Sequence, residues 1–112
     1  LEVFDAVRAV WPADRPLGVR VSATDWVEGG WVPEDAVELA RRLKARGCDW
    51  LDVSSGGVSP AQRIPAPVPG LHVPFAREIR HATGIVTMAV GLITEPEHAD
   101  AIIAAGLVCR MA

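Results

Sequence analysis

Apolar and polar positions along this chain switch repeatedly between a period of two and a period near 3.6. Three times a strand-like apolar run ends in a small, polar, glycine-containing mouth and gives way to an amphipathic stretch. The mouths are Gly18-Val19-Arg20-Val21-Ser22-Ala23-Thr24-Asp25, Leu51-Asp52-Val53-Ser54-Ser55-Gly56-Gly57 and Met88-Ala89-Val90-Gly91-Leu92-Ile93-Thr94. The chain opens in a helical pattern, with Leu1, Val3, Phe4 and Val7 apolar against Glu2, Asp5 and Arg8. That helix ends near Val10, because the prolines of Trp11-Pro12-Ala13-Asp14-Arg15-Pro16 forbid its continuation.

The pattern predicts strands over 17–23, 48–54 and 85–90. It predicts helices from Pro33 to Arg46, from Pro74 to Ala82 and from Pro96 to Ala105. Proline at a first helical position and acids beside it suit the positive end of the second helix, whose stripe is Ala36, Leu39, Ala40 and Leu43. Gly47 and Gly106 are expected as C-terminal caps. Between the second strand and the third helix, residues 55–74 form a proline-rich connection that reads as an ordered excursion over the strand mouths. Strands alternating with helices at this spacing imply parallel neighbours joined by crossovers, either an open doubly wound sheet or an arc of a barrel.

Length decides how much of a barrel this is. A (β/α)8 barrel takes roughly 250 residues, so a chain of 112 holds about three and a half βα units. Leu1 lies inside a helix with no capping residue before it, and Leu107-Val108-Cys109 begins a strand just before the chain stops. The expectation is therefore an α/β fold, a partial TIM (β/α)8 barrel with parallel strands. Residues 1–112 would be a piece of one barrel domain whose N-terminal half and extreme C-terminus are missing.

The composition is that of a globular chain, with 50% hydrophobic residues, 22% charged residues and a net charge of −3. No basic stripe interleaved with aromatics is present, which argues against a nucleic-acid partner. No apolar run approaches the roughly 20 residues of a membrane span. Cys48 and Cys109 lie far apart in strand-like contexts, without metal-ligand or redox spacing, and read as buried thiols in a reducing compartment. A cytoplasmic protein without a metal site is expected.

Taken in order, Arg20-Val21-Ser22, Trp26-Val27-Glu28-Gly29-Gly30-Trp31, Asp49-Trp50-Leu51-Asp52-Val53-Ser54-Ser55-Gly56-Gly57, Val73-Pro74-Phe75-Ala76 and Ala89-Val90-Gly91-Leu92-Ile93-Thr94 carry a likeness. The chain resembles the old yellow enzyme family over nearly its whole length. The likeness is to the bacterial branch of YqjM-like and xenobiotic-reductase-like NAD(P)H:flavin oxidoreductases. It implies a TIM barrel that binds FMN at its mouth and is reduced by NADH or NADPH. Hydride then passes from the flavin to an activated alkene such as an enone. The resemblance also implies that the carbonyl-polarising His pair lies upstream of Leu1, and its usual tyrosine is absent because the chain contains no tyrosine. No catalytic residue is therefore assigned here.

Alternation places Gly18, Arg20 and Ser22 on one strand face and Val19, Val21 and Ala23 on the other, so the guanidinium points into the barrel. A charge there needs an anionic or accepting partner, which from the residues alone is either Asp52 or a ligand. The resemblance implies the second, the flavin edge where negative charge gathers on reduction. It likewise implies that the main chain of Val90 and Gly91 faces the FMN phosphate, although a glycine at a strand end is also a simple bend. Arg110 is not spaced to be the arginine that completes the family's phosphate clamp. Ser54 and Ser55 are candidates to line the substrate chamber, or else they merely turn the chain. His72, which stands where relatives tend to carry glutamine, is expected to be peripheral along with His81 and His98. Trp26 and Trp31 flank a Gly-Gly loop and either cover the mouth or anchor packing.

Two other readings remain open at this level. One is a phosphate-binding TIM-barrel enzyme without flavin, in which Arg20 pairs with Asp52. The other is a non-catalytic partial barrel that self-associates through its raw sheet edges and uncovered apolar faces, making a homo-oligomer.

Overall fold

The computed structural model describes residues 1–108 and the backbone of Arg110 and Met111. The expected strand for Cys109 and the side chain of Arg110 lie outside the described residues. The elements run α1 (Glu2–Val10), β1 (Gly18–Ser22), α2 (Pro33–Ala45), β2 (Trp50–Ser54), α3 (Val73–Thr83), β3 (Val86–Ala89), α4 (Pro96–Ala104) and β4 (Arg110–Met111). The expected helices and the strands over 17–23, 48–54 and 85–90 are present, the strands shorter by one or two residues at their ends, whereas Leu107 and Val108, where a last strand was expected to begin, precede a strand at Arg110–Met111. Some flanking residues still bond across neighbouring strands, the Asp49 N–H donating to the Leu17 carbonyl and the Ala23 N–H to the Ser54 carbonyl.

All four strands are parallel and stand in the order β1-β2-β3-β4. A doubly wound sheet would reverse its order at a switch point and carry helices on both faces. Here one buried cluster unites Phe4 of α1, Ala36, Ala40 and Leu43 of α2, Ala76 and Ile79 of α3, and Ile102 of α4 with Leu51, Val53 and Ala89 of the sheet. All helices thus cover a single face. That is the arrangement of a barrel arc, with helices outside and the opposite strand face turned toward the barrel interior.

Strand register divides the two faces. Val19 pairs with Leu51, which pairs with Thr87; Val21 pairs with Val53, which pairs with Ala89. These residues meet the helix layer, and Leu51, Val53, Thr87 and Ala89 are each at most 1% exposed. On the other face Arg20 stands beside Asp52, which stands beside Met88. Cys48 is buried just before β2, where desolvation raises its thiol pKa and the thiol donates to the Trp50 carbonyl.

The start of α2 lacks a side-chain cap. Val32 occupies the N-cap in an extended conformation, and only Asp35 contributes, its carboxylate accepting the Val32 N–H at 3.2 Å. Val32 carries no side-chain oxygen for the first helical N–H groups and is 41% exposed. Val32→Ser should therefore stabilise the chain by about 0.5–1 kcal/mol, read as a higher urea midpoint with an unchanged slope.

Candidate functional site

The carboxyl ends of β1, β2 and β3 converge at one rim of the sheet, and the loops beyond them hold the polar groups. Arg20 leaves β1 on the face opposite the helices, as alternation requires, and its side chain is 59% exposed because nothing among the described residues covers that face. Its Nη1 donates to Asp52 Oδ2 at 2.6 Å. Both expected partnerships thus bear on the geometry: the ion pair with Asp52 exists, and most of the guanidinium still faces open space. Asp52 Oδ1, by contrast, is buried and has no hydrogen-bond partner among the described residues. An orphaned carboxylate oxygen beside a half-free guanidinium is an incomplete polar site, since buried polar atoms are ordinarily paired.

The loop after β1 folds back over the mouth. Trp26 takes a left-handed backbone conformation with φ of 57°, unusual for a bulky residue. Its N–H donates to Thr24 Oγ1 and its carbonyl accepts from the Arg63 N–H, so the β1 loop and the long connection after β2 are stitched together. The Gly56 N–H donates to the Thr24 carbonyl, and Gln62 Oε1 accepts the Gly57 N–H. The connection over residues 55–72 is accordingly an ordered excursion tied to the mouth, as its composition predicts. The indole of Trp26 meets Phe75 of α3 edge-on, with ring centroids 5.7 Å apart. Of the two roles read from sequence, Trp26 has the packing one.

Ser55 and His72 alter the picture drawn from sequence. The Ser55 hydroxyl accepts the Trp26 Nε1–H at 2.8 Å and lies 2.8 Å from His72 Nε2. His72 is not peripheral. Its ring reaches across from the N-cap of α3, half-buried, and its Nδ1 lies 3.1 Å from the Val90 carbonyl. Sequence reasoning discounted it because no second histidine stands at ligand spacing, whereas its partners are a serine and a backbone carbonyl, which carry no motif. The one available signal was its place between Leu71 and Val73, two positions whose side chains are also at least half-buried. Burial is the largest influence on the His72 ring and lowers its pKa; the Val90 carbonyl opposes that, Arg20 adds to it and Asp52 opposes it. His81 is exposed, as expected, while His98 is half-buried against Gly70.

Val90 and Gly91 form the turn after β3. Gly91 has φ of 110°, and a Cβ placed on it would stand 2.9 Å from His72 Nδ1. Its carbonyl accepts the Gly70 N–H at 2.9 Å, and the next residue, Leu92, is again left-handed with φ of 54°. Left-handed non-glycine residues follow both β1 and β3, and backbone strain of this kind gathers at functional rims. Ser54 ends β2, where its carbonyl accepts the Ala23 N–H. Among the described residues no cluster of three or more His, Cys, Asp or Glu side chains could hold a metal, and no helix is long and apolar enough to cross a membrane.

Against known proteins, no family model matches the chain. It is 46% identical over 102 residues to a NADPH dehydrogenase of Listeria monocytogenes, 48% identical over 106 residues to one of a Geobacillus species, and 50% identical over 102 residues to one of Geobacillus thermodenitrificans. These matches take in 91%, 94% and 91% of this chain. The chain spans 29–30% of the length of those relatives. Among solved structures, morphinone reductase superposes on 99% of the chain with a TM-score of 0.65 at 22% identity, using 28% of its own length. That likeness concerns the fold, and it agrees with the singly wound sheet: the chain has the architecture of a partial TIM barrel. The resemblance read from the strand mouths agrees with this similarity to proteins named NADPH dehydrogenase.

Proposed function

We propose that this chain is the cofactor-holding wall of an FMN-dependent NAD(P)H oxidoreductase of the old yellow enzyme type, a cytoplasmic enzyme that reduces activated alkenes. The observation that carries the reading is Arg20, a cation on the inward strand face whose guanidinium has one nitrogen on Asp52 and the rest turned to open space. Relatives named NADPH dehydrogenase support it. The residues present fit the group. Arg20 offers donors to the flavin edge that accumulates negative charge, and the orphaned Asp52 Oδ1 marks a buried position where a further donor is wanted. The Val90–Gly91 turn offers a bare backbone to the phosphate.

Bound FMN would supply hydride transfer between a nicotinamide and an electron-poor C=C bond. The chain's own residues do the rest. Asp52 holds the Arg20 guanidinium in one orientation, so the cation is pre-set before charge develops next to it. Trp26, packed on Phe75 and tied to Ser55, keeps water from the rim. Ser55, a candidate substrate contact on sequence grounds, already spends its hydroxyl on Trp26 and His72, which leaves Ser54 as the freer of the two toward substrate. The uncovered strand face is to be covered by the rest of a barrel or by another copy in a homo-oligomer.

An ion pair at Arg20 also suits the flavin-free phosphate-binding barrel, but the relatives' name, NADPH dehydrogenase, favours an NADPH-linked oxidoreductase. Purifying the whole protein, recording its visible spectrum and following NADPH oxidation with cyclohexenone tests the proposal. A yellow protein that releases FMN on denaturation and oxidises NADPH in the presence of the enone is expected. Folded protein that is colourless and stays colourless after incubation with FMN would refute it.

A further inference from the structure

Four groups at the rim form a hydrogen-bond chain whose direction is dictated at each link. A carbonyl can only accept, so His72 Nδ1 carries the proton that meets the Val90 oxygen at 3.1 Å. In the neutral ring Nε2 is then an acceptor, and Ser55 must donate its hydroxyl proton to it across 2.8 Å. The indole N–H can only donate, so Trp26 Nε1 fills a lone pair of the same Ser55 oxygen at 2.8 Å. The chain runs Trp26 to Ser55 to His72 to Val90, without an unmet donor or acceptor in it. It links the loop after β1, the mouth of β2, the start of α3 and the turn after β3. Beyond it the Gly91 backbone lies against the ring, with no room for a Cβ, and Gly91 is held from its other side by the Gly70 N–H.

We infer that His72 is a positioning residue: its uncharged ring, clamped between Ser55 and Val90, holds the Val90–Gly91 turn in the shape that receives the cofactor's phosphate. The inference rests on the flavin reading above. A second ring proton would reverse the link to Ser55. Nε2–H and the Trp26 N–H would then converge on one oxygen whose own proton has lost its acceptor. The charged and titratable groups that face the ring are Arg20 from β1, which opposes a second proton, and Asp52 from β2, which favours it. His98 of α4 lies behind Gly70. Burial outweighs them and holds the ring pKa below its ordinary value of 6.5. With the native pKa depressed, the clamp is complete above the ordinary value, persists just below it, and is lost as pH falls through the lowered native value.

Three forms of the whole protein, unaltered, His72→Gln and His72→Leu, should be titrated with FMN by fluorescence quenching between about pH 5 and about pH 8, the range in which an imidazole titrates. The unaltered protein should hold FMN evenly at the alkaline end and weaken on the acid side. Glutamine has an amide NH2 that donates and a carbonyl oxygen that accepts, so it can serve Val90 and Ser55 without titrating. H72Q should bind near normally at the alkaline end, with the His72 acid limb flattened. H72L should bind about tenfold more weakly across the range, as the loss of a hydrogen-bond pair implies. Equal FMN affinity in H72L and the unaltered protein, or an undiminished acid limb in H72Q, would overturn the inference while leaving the flavin reading intact. If far-UV circular dichroism shows H72L unfolded, the H72Q profile decides alone. An unaltered protein that takes up no FMN at any pH would fell both, and that result appears before any variant is compared.

Discussion

Arg20→Ala should strip the protein of most of the FMN it is proposed to bind. A charge-assisted hydrogen bond contributes about 1.5–3 kcal/mol, so losing the guanidinium should weaken FMN binding roughly tenfold to a hundredfold. Equilibrium dialysis against FMN reads this directly, and retention equal to that of the unaltered protein would remove Arg20 from the site. The same substitution has a second consequence for stability. Asp52 is 7% exposed and Arg20 is its partner through Oδ2, while Oδ1 already has none among the described residues. Removing one member of a fully buried pair costs about 3–5 kcal/mol, but this guanidinium is 59% exposed and water shares its charge, so about 1–2 kcal/mol is expected. The two effects separate in the double variant Arg20→Ala with Asp52→Asn. Neutralising the stranded carboxylate should recover much of the stability and none of the FMN affinity.

Gly91→Ala should be a strongly damaging methyl addition at the rim. A φ of 110° lies where residues with a Cβ are strained, a cost of about 1–3 kcal/mol. The new Cβ would also stand 2.9 Å from His72 Nδ1, the atom that donates to Val90, and the ring must move or the turn must open. Losing that bond adds about 1 kcal/mol, for a total of about 2–4 kcal/mol. Urea denaturation measures the loss, and FMN affinity should fall with it because the displaced turn is the one proposed to meet the phosphate. Gly57→Ala is the matched control. Gly57 also has a positive φ, of 88°, but nothing lies within 4 Å of its would-be Cβ. It should show the backbone cost alone and leave FMN affinity unchanged; equal damage from both substitutions would mean that the His72 contact is not what makes Gly91 irreplaceable.

Much of the architecture was legible because it is encoded between near neighbours. Alternation along residues 18–22 is enough to send Arg20 to one face and Val19 and Val21 to the other, whatever the rest of the chain does. The apolar stripe of α2 buries Ala36, Ala40 and Leu43 as read, and the prolines at 12 and 16 end α1 where expected. Whether the parallel strands closed toward a barrel or wound both ways was not settled by those periods. The consecutive strand order and the single covered face decide it, and both depend on where each crossover lands.

The candidate site divides along the same line. By itself the sequence determined that a cation stands on the inward face of the first strand and that small residues crowd three strand ends, since both follow from side-chain direction and residue type. Only the tertiary structure decided what those groups touch. Arg20 meets Asp52 because β1 and β2 align in a register that places them side by side. His72 meets Ser55 and Val90, 17 and 18 residues away along the chain, because α3 starts above the mouths of β2 and β3. Periodicity fixes which way a side chain points; hydrogen-bond partners are set within tenths of an ångström by strand register and loop path, which no local pattern specifies.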